Sequence, residues 1–417
     1  MQVHCECSPD SISSLSYDGS FPEPVLAPQM ELNILREPPI PVPKLAGAIS
    51  LIQSALDNDI APTLLEDCTG GTYFCYSPFA SVEAVFKPFD EEPYCLNNPK
   101  GLPPSKFSPE IDRGIVPGTA ALREAAAFYL DHGHFAGVPE TLLVSLSSVY
   151  MESHKNGLCS ERVKEGSLQL FVPNECSSED YGPALFSVTN VQRIAILDMR
   201  LLNLDRHANN LLVTRQRLRA TSRCDDLLDA SKTRASTCRR SMSISTAPCH
   251  DDIILVPIDH GYSLPVCTTK AVPEWCWRYW YQSQIGIEES VKEYVRNLDI
   301  EKDIALLKSH IPELEEEAIW TLRISTMWLK LGVEAGLTIQ TLSSFYFPRK
   351  EELSGFQQLV RMYHESLYEC FDSFLKEVGV QYMRQLISTC NCLLDQVLEQ
   401  TCVMLLSLRD ELAYKMM

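Results

Sequence analysis

The sequence contains no run of about 18 consecutive apolar residues, the length that an α-helix needs to cross a bilayer. Its start, MQVHCECSPD, lacks the basic stretch followed by an apolar stretch that marks a secretory signal. The 16 cysteines are scattered without paired CxxC spacing, so we expect reduced thiols rather than a disulfide framework or a zinc site. These absences predict a cytoplasmic protein and leave peripheral membrane contact open.

Positive charge is also scarce. The sequence has 36 Lys and Arg against 55 Asp and Glu, a formal net charge of -19. A surface with this charge repels nucleic acid, so we expect no nucleic-acid partner. The glycine-rich motifs GxGxxG and GxxxxGK[ST] are absent as well. Their absence argues against a Rossmann-type or Walker-type nucleotide site.

The composition changes twice along the chain and divides it into three parts. Residues 1–44 are rich in Pro, Ser and acidic residues and are expected to form a disordered arm. Residues 45–345 alternate between apolar runs and turn signals and are expected to form one folded domain. Residues 346–417 carry apolar residues at helical spacing, which predicts a helical extension that packs on this domain or binds a partner.

Within the middle part, strand patterns come first and helix patterns follow. Strands dominate the prediction for 60–173, although TAALREAAAFYLD predicts a helix there, and helices dominate the prediction for 174–345. This order favours an α+β fold over an alternating parallel sheet. Residues 214–250 are rich in Ser, Thr and Arg and are expected to form a largely disordered surface insertion.

The segments DRHANN and IDHG carry the clearest chemical signal. Asp205 precedes Asn210 by five residues, which is the spacing of a kinase catalytic loop, where the Asp orients the acceptor and the Asn holds a metal ion. Asp259 follows an apolar strand and takes the place of the aspartate that chelates Mg²⁺ in kinases. The structural alternative is that Asp205 caps a helix and that Asp259 lies in a turn. The three residues in this order favour catalysis.

A kinase also needs a cation for the phosphates of ATP. Lys87 ends the predicted strand in AVFKPFDEEP, and Glu124 lies on the following predicted helix, the arrangement of a phosphate-binding lysine and its ion-paired glutamate. A solvated Glu124 is the alternative. Gly70 and Gly71 precede the first strand, where glycine lets the backbone approach phosphates.

These segments together resemble the type II and gamma-type phosphatidylinositol 4-kinases of the phosphatidylinositol 3-/4-kinase superfamily. The gamma-type kinases of plants, which carry ubiquitin-like domains, are the most similar, and the resemblance covers roughly residues 70–342. The first 60 residues leave no room for a ubiquitin-like domain, so no partner is expected through one. The motifs that carry the resemblance are GGTYF, VFKPFDEEPYCLNNPKG, ALREAAAFYLDHGHFAGVP, LQLFVPN, ILDMRLLNLDRHANNLLV, PIDHG and EYVRNLD.

The resemblance implies a two-lobed kinase fold, with an N-lobe over 60–173 and a C-lobe over 174–345. It further implies that Lys87 contacts ATP and that Phe171 and Val172 line the hinge between the lobes. Asp205 is then the catalytic aspartate. Asn210 and Asp259 are then the metal ligands.

The expected activity is transfer of the γ-phosphoryl group of ATP, with Mg²⁺, to phosphatidylinositol in membranes. A protein Ser/Thr kinase is one alternative, because some gamma-type relatives are thought to phosphorylate proteins. A pseudokinase scaffold that binds partners through its C-terminal helices is another, although a scaffold has no need of Lys87, Asp205, Asn210 and Asp259 together. The aromatic segment PEWCWRYWYQS, just after Asp259, predicts either a membrane-docking element or packing in the helical lobe.

Overall fold

The computed structural model describes residues 30–105, 108–147, 163–216, 252–266, 270–348 and 353–365. The strands are β1 (Glu31–Ile34), β2 (Thr63–Leu64), β3 (Tyr73–Tyr76), β4 (Val82–Pro88), β5 (Thr141–Ser147), β6 (Val163–Leu170), β7 (Cys176–Ser177), β8 (Asp205–Arg206), β9 (Leu211–Gln216), β10 (Asp252–Pro257) and β11 (Glu274–Trp275). The helices are α1 (Pro43–Leu56), α2 (Pro109–Arg113), α3 (Ala120–Leu130), α4 (Val188–Leu201), α5 (Tyr281–Gln284), α6 (Glu289–Asn297), α7 (Ile300–His310), α8 (Glu316–Glu334), α9 (Ile339–Ser343) and α10 (Gly355–Glu365).

The first part of the molecule is built on a six-stranded antiparallel sheet in the order β1-β5-β6-β4-β3-β2. Alternate residues of β4 are buried, because successive side chains of a strand point to opposite faces. Helices α1 and α3 pack against this sheet. In α3, 10 of the 11 residues are buried. Packing on all sides holds such a helix in place and fixes the direction of the side chains that it carries.

The second part is mainly helical. Helices α4 and α8 pack against each other at its centre, beside a three-stranded sheet in the order β10-β9-β7 and a parallel pair, β8 and β11. Its apolar core contains the buried rings of Trp277 and Trp328, and the sheet of the first part has a separate core. The chain passes from the first part to the second in the connection between β6 and β7.

The α+β prediction is confirmed: a strand-rich part precedes a helix-rich part. The expected disordered arm over 1–44 needs one correction, because residues 31–34 pair with β5 as an edge strand and α1 begins at Pro43. The local composition does not indicate β1, because the stability of this strand comes from pairing with a strand more than 100 residues away. Residues 1–29 lie outside the described ranges.

The predicted insertion lies largely outside the described residues. Strand β9 continues to Gln216 and β10 begins at Asp252, so residues 214–216 belong to a strand rather than to the insertion. Helix α10 forms within the predicted C-terminal extension, and residues beyond Glu365 lie outside the described ranges. The domain boundaries stay a prediction. Within the described part of the chain, no helix has the length and apolarity required to cross a bilayer.

Candidate active site

Lys87 and Glu124 form an ion pair between the sheet and helix α3. Lys87 lies near the end of β4, and Lys87 Nζ is 2.5 Å from Glu124 Oε1. The Glu124 side chain is 2% exposed because the helix that carries it is enclosed, whereas the Lys87 side chain is 24% exposed. The sequence predicted this pair, and the structure brings the two residues together rather than leaving Glu124 solvated.

The same pair is joined to the segment that carries Asp259. The second carboxylate oxygen of Glu124 accepts a hydrogen bond from the backbone N–H of His260 at 3.0 Å. Lys87 Nζ also lies 3.1 Å from Asp259 Oδ1. Burial disfavours the charged form of Lys87, but the carboxylates of Asp259 and Glu124 outweigh burial and raise its pKa. Lys87 therefore carries a fixed positive charge in this site.

Glu124 keeps its negative charge for a related reason. Burial disfavours the Glu124 carboxylate, but the positive charge of Lys87 and the hydrogen bond from His260 more than offset burial and lower its pKa. A buried carboxylate without such partners takes up a proton instead. The structure thus places two mutually dependent charges beside a third charged group, Asp259.

The loop with Asp205 begins where α4 ends. Leu202 adopts a left-handed conformation after Leu201 and turns the chain, and the Asn203 side chain then accepts a hydrogen bond from the Asp205 N–H at 3.0 Å. Asn210 Nδ2 donates to the Asp205 carbonyl at 2.8 Å. These bonds between neighbours hold Asp205 and Asn210 in one compact turn.

Arg206 connects this loop to the segment before Asp259. Its buried guanidinium donates to the Asn210 carbonyl at 2.7 Å and to the Ile258 carbonyl at 2.5 Å. Its Nε donates to the Asp198 carboxylate, which also accepts from Trp277 Nε1 at 2.9 Å. One buried arginine therefore sets the relative position of the two segments that carry the predicted catalytic residues.

Asp205 lies at a half-buried position among charged groups. Arg113 Nη2 is 3.8 Å and His207 Nε2 is 4.0 Å from its carboxylate. Burial raises the pKa of Asp205, while Arg113 and His207 act in the opposite direction. A carboxylate with a raised pKa has a higher affinity for a proton, which suits a group that receives one from an acceptor hydroxyl.

Asn210 and Asp259 supply oxygen atoms of the kind that Mg²⁺ prefers. The bond from Asn210 Nδ2 to Asp205 orients the amide, and no described residue donates a hydrogen bond to its Oδ1. The Asp259 side chain is 47% exposed. Among the described residues no cluster of three or more His, Cys, Asp or Glu side chains forms a metal cage. Because Mg²⁺ keeps several waters and takes few protein ligands, the exposed carboxylate of Asp259 and the amide oxygen of the buried Asn210 fit it.

Gly70 and Gly71 lie in the connection between β2 and β3. A Cβ atom on Gly71 would lie 2.1 Å from Glu91 Oε2, and the Gly71 N–H donates to the Glu91 carbonyl at 2.9 Å. The absence of a side chain at Gly71 therefore lets the backbone approach Glu91. Contact of Gly70 and Gly71 with phosphate stays a prediction.

Phe171 and Val172 follow β6 directly, in the connection between the two parts of the fold. The Phe171 N–H donates to the Glu83 carbonyl at 3.0 Å, and its ring packs edge-on against Phe74 with centroids 5.7 Å apart. These contacts anchor the connection to β4 and β3. Their place in the fold is that of the predicted hinge, and their contact with ATP stays a prediction.

Comparison with known proteins decides the family. The family described as "Phosphatidylinositol 3- and 4-kinase" matches residues 69–341. The chain belongs to this family.

Its relatives include several plant proteins. The chain is 38% identical to phosphatidylinositol 4-kinase gamma 4 of Arabidopsis thaliana, over 69% of this chain and 47% of that protein. It is 40% identical to phosphatidylinositol 4-kinase gamma 4 of Oryza sativa subsp. japonica, over 70% of this chain and 46% of that protein. It is 34% identical to phosphatidylinositol 4-kinase gamma 2 of Arabidopsis thaliana, over 85% of this chain and 62% of that protein. The chain spans about half the length of the curated relatives that it matches. The family resemblance stated from the sequence is confirmed.

This family member has a supporting residue that the sequence did not reveal. The buried Glu92 carboxylate accepts hydrogen bonds from the backbone N–H groups of Gly118, Ala120 and Ala121, at 2.7, 3.0 and 2.9 Å. These N–H groups lie at the start of α3, where a carboxylate also meets the positive end of the helix dipole. Because Glu92 follows β4 by four residues, it joins the strand of Lys87 to the helix of Glu124. The run of three carboxylates in DEEP was a signal, but the partners of Glu92 lie 26 or more residues away.

Gly166 in β6 is a second such residue. A Cβ atom there would lie 2.1 Å from the Lys87 carbonyl oxygen and 2.7 Å from Pro88 Cα. Glycine therefore lets β6 pack directly against the backbone at the end of β4. Gly261 allows a close approach to a side chain on the other side of the site, where a Cβ atom would lie 3.1 Å from Ala120 Cβ.

The aromatic segment after Asp259 divides between the two predicted roles. Trp275 and Trp277 stack on each other with centroids 4.9 Å apart, and both are buried in the helical core. Tyr279 and Tyr281 are exposed. Packing is therefore the role of the two tryptophans, and membrane docking through the two exposed tyrosines stays a prediction.

Proposed function

We propose that this protein is an ATP-dependent kinase that transfers the γ-phosphoryl group of ATP to a hydroxyl group on the inositol ring of phosphatidylinositol. The observation that carries this proposal is the connected set Lys87, Glu124 and Asp259, which Arg206 joins to the loop of Asp205 and Asn210. Family membership and the names of the plant relatives support it.

In the proposed reaction, Lys87 binds phosphate oxygens of ATP. Its charge is maintained by Glu124, so Lys87 can bind phosphate oxygens without losing its anchor. Phosphoryl transfer depends mainly on positioning and on stabilisation of negative charge, because the bonds at phosphorus are loose in the transition state. A cation held on one side by a buried carboxylate meets both requirements.

Asp205 acts on the acceptor. Its carboxylate accepts a hydrogen bond from the attacking hydroxyl group and takes its proton as the oxygen–phosphorus bond forms. The bond between the γ-phosphorus and the bridging oxygen breaks, and ADP leaves with that electron pair. The raised pKa of Asp205, caused by burial, favours its role as a proton acceptor.

Asn210 and Asp259 are the proposed metal ligands. A magnesium ion held by these residues would supply positive charge against the negative charge that develops on the phosphates. The chain contributes an amide oxygen held by the bond to Asp205 and a carboxylate beside Lys87. Both residues lie on segments that Arg206 holds together.

We propose peripheral membrane contact through a small exposed apolar surface made of Leu185, Tyr279, Tyr281 and Ile285. The loop of Leu185 lies beside the aromatic segment, because Gln282 donates hydrogen bonds to the carbonyls of Pro183 and Phe186. Tyrosine rings favour bilayer interfaces because they combine an apolar body with a polar tip. This surface would meet a lipid acceptor without inserting a spanning helix.

The test uses the full chain, radiolabelled ATP and Mg²⁺ with two acceptors, phosphatidylinositol vesicles and a generic protein substrate. Label on the lipid that is lost in the Lys87→Ala variant supports the proposal. Label on the protein alone makes this chain a protein kinase. No transfer to either acceptor contradicts kinase activity and favours a scaffold.

A further inference from the structure

Helix α2 lies at the active site, but none of its residues has a role in the reaction proposed above. Ser108 caps its start by accepting a hydrogen bond from the Ile111 N–H, and Gly114 ends it with a φ of 84°. It is held against the segment that follows Asp259: Tyr262 Oη donates to Glu110 Oε1 at 3.0 Å, and the Val266 N–H donates to the Gly114 carbonyl at 2.7 Å. The end of α2 is thereby fixed beside the loop of Asp205.

Arg113, the last residue of α2, faces that loop. Its Nη2 donates to the Leu204 carbonyl at 2.6 Å and lies 3.8 Å from Asp205 Oδ1. Its guanidinium lies over the Tyr262 ring, 5.0 Å from the centroid. These contacts come from segments on both sides of the site, so the position of the guanidinium is defined before any acceptor binds.

The guanidinium is only partly used by the protein. The Arg113 side chain is 32% exposed. Among the described residues no acceptor is bonded to its Nε or Nη1, and no carboxylate forms a closer ion pair with it than Asp205. A neighbouring cation, Lys270, is instead paired with Asp112 at 2.6 Å. Arg113 therefore offers free donors and positive charge next to the carboxylate that receives the acceptor hydroxyl.

We propose that Arg113 binds the phosphate group of the acceptor and so selects alcohols that carry a phosphodiester beside the reacting ring. This inference rests on the proposed function and adds a subsite to it. A planar guanidinium forms two parallel hydrogen bonds with phosphate oxygens and remains charged at all physiological pH values. One such cation matches an acceptor with one phosphate group, and phosphatidylinositol has one.

A purely structural role for Arg113 leads to a different expectation. If Arg113 only shields Asp205, its loss changes the binding of every acceptor to the same extent. If Arg113 binds the acceptor phosphate, its loss weakens the binding of phosphate-containing acceptors alone. The two roles are separated by comparing acceptors that share the ring and differ in the phosphate.

The experiment compares the wild type with Arg113→Ala, Arg113→Lys and the surface control Arg296→Ala, whose arginine is paired with Glu289 on α6. Binding of glycerophosphoinositol and of myo-inositol is measured by calorimetry in the presence of Mg²⁺ and a non-hydrolysable ATP analogue. We expect Arg113→Ala to weaken binding of glycerophosphoinositol by about tenfold or more, with Arg113→Lys in between. The affinity for myo-inositol is expected to stay within about twofold of the wild-type value.

Equal binding of glycerophosphoinositol by the wild type and Arg113→Ala overturns this inference. An equal fall in the binding of both compounds also overturns it, because Arg113 then acts on the ring-binding part of the site, through Asp205, and not on the phosphate. Failure of the wild type to phosphorylate phosphatidylinositol vesicles contradicts the proposed function instead, and the binding comparison still decides whether Arg113 forms a phosphate subsite.

Discussion

Lys87 Nζ donates a hydrogen bond to Glu124 Oε1 at 2.5 Å, from a strand to a fully enclosed helix. The other oxygen of Glu124 is bonded to the His260 N–H, so one carboxylate links the strand of Lys87 to the segment of Asp259. Because α3 is packed on all sides, this link fixes Lys87 and the segment of Asp259 relative to α3 in this structure.

Replacement of Glu124 by Gln tests this link. Glutamine keeps an oxygen that accepts the hydrogen bond from the His260 N–H. It removes the negative charge of Glu124, so that Asp259 is the one carboxylate still paired with Lys87 among the described residues. We expect the KM for ATP to rise about tenfold, because one charge-assisted bond to Lys87 is lost. Steady-state kinetics measure it, with the exposed Glu289→Gln on α6 as control. An unchanged KM would show that the pair has no part in nucleotide binding.

The Asp205→Asn variant separates chemistry from binding. Asparagine has the size of aspartate but cannot accept the proton of the acceptor hydroxyl. Turnover is expected to fall by about 10²–10⁴-fold, while ATP affinity stays close to that of the wild type. Quenched-flow kinetics and calorimetry measure the two quantities, and the exposed Asp180→Asn is the control. Turnover near the wild-type value would exclude Asp205 as the proton acceptor.

The Asp259→Ala variant tests the metal site. It removes a hard oxygen ligand for Mg²⁺ and also removes one of the two carboxylates that face Lys87. We therefore expect Mg-ATP to bind about tenfold or more weakly, whereas ATP without metal binds at least as well as before. Calorimetry with and without Mg²⁺ distinguishes these effects. Equal losses in both conditions would argue against a metal ligand at this position.

The Gly166→Ala variant tests the close packing of β6 on β4. The added Cβ atom would lie 2.1 Å from the Lys87 carbonyl oxygen, so the backbone of one strand must shift. The free energy of unfolding is expected to fall by about 1–3 kcal/mol, as in other overpacked cores. Urea unfolding measures it. Gly182→Ala is the matched control, because no atom lies within 4 Å of a Cβ there, and an equal effect in both variants would refute the explanation.

Glu92 predicts a pH dependence of stability. Burial raises the pKa of Glu92 from 4.5 to about 7, although three backbone N–H groups and the charge of Arg123 act in the opposite direction. The folded state therefore holds the proton more tightly than the unfolded chain. The resulting contribution to stability is fully present below pH 4.5 and is lost as the pH rises through 7. Cys95 also interacts electrostatically with Glu92. Burial raises the pKa of the Cys95 thiol to about 12, so this thiol stays neutral in this pH range.

The Glu92→Gln variant removes this titration. Between pH 5 and pH 8 the wild type is expected to lose stability relative to Glu92→Gln, by up to on the order of 3 kcal/mol. Urea unfolding at several pH values measures the difference. A constant difference between the two proteins over this range would mean that Glu92 does not titrate there.

The sequence by itself determined that a strand-rich part precedes a helix-rich part, and it singled out the predicted catalytic residues. DRHANN and IDHG are short, and the turn that holds Asp205 and Asn210 together is made by bonds between residues no more than five positions apart. Strand β4 and helix α3 follow from local alternation and local helix propensity. Features of this kind can be inferred from spacing because neighbours in sequence are neighbours in space.

Only the tertiary structure decided which distant groups meet. Arg113 reaches Leu204 across 91 positions, and Glu124 reaches His260 across 136. The edge strand β1 forms because β5 supplies its hydrogen-bond partners, although the local composition predicts disorder. Trp277 is buried because the Asp198 carboxylate accepts its N–H in the helical core. Such contacts depend on how whole elements pack, and local composition and spacing contain no information about that packing.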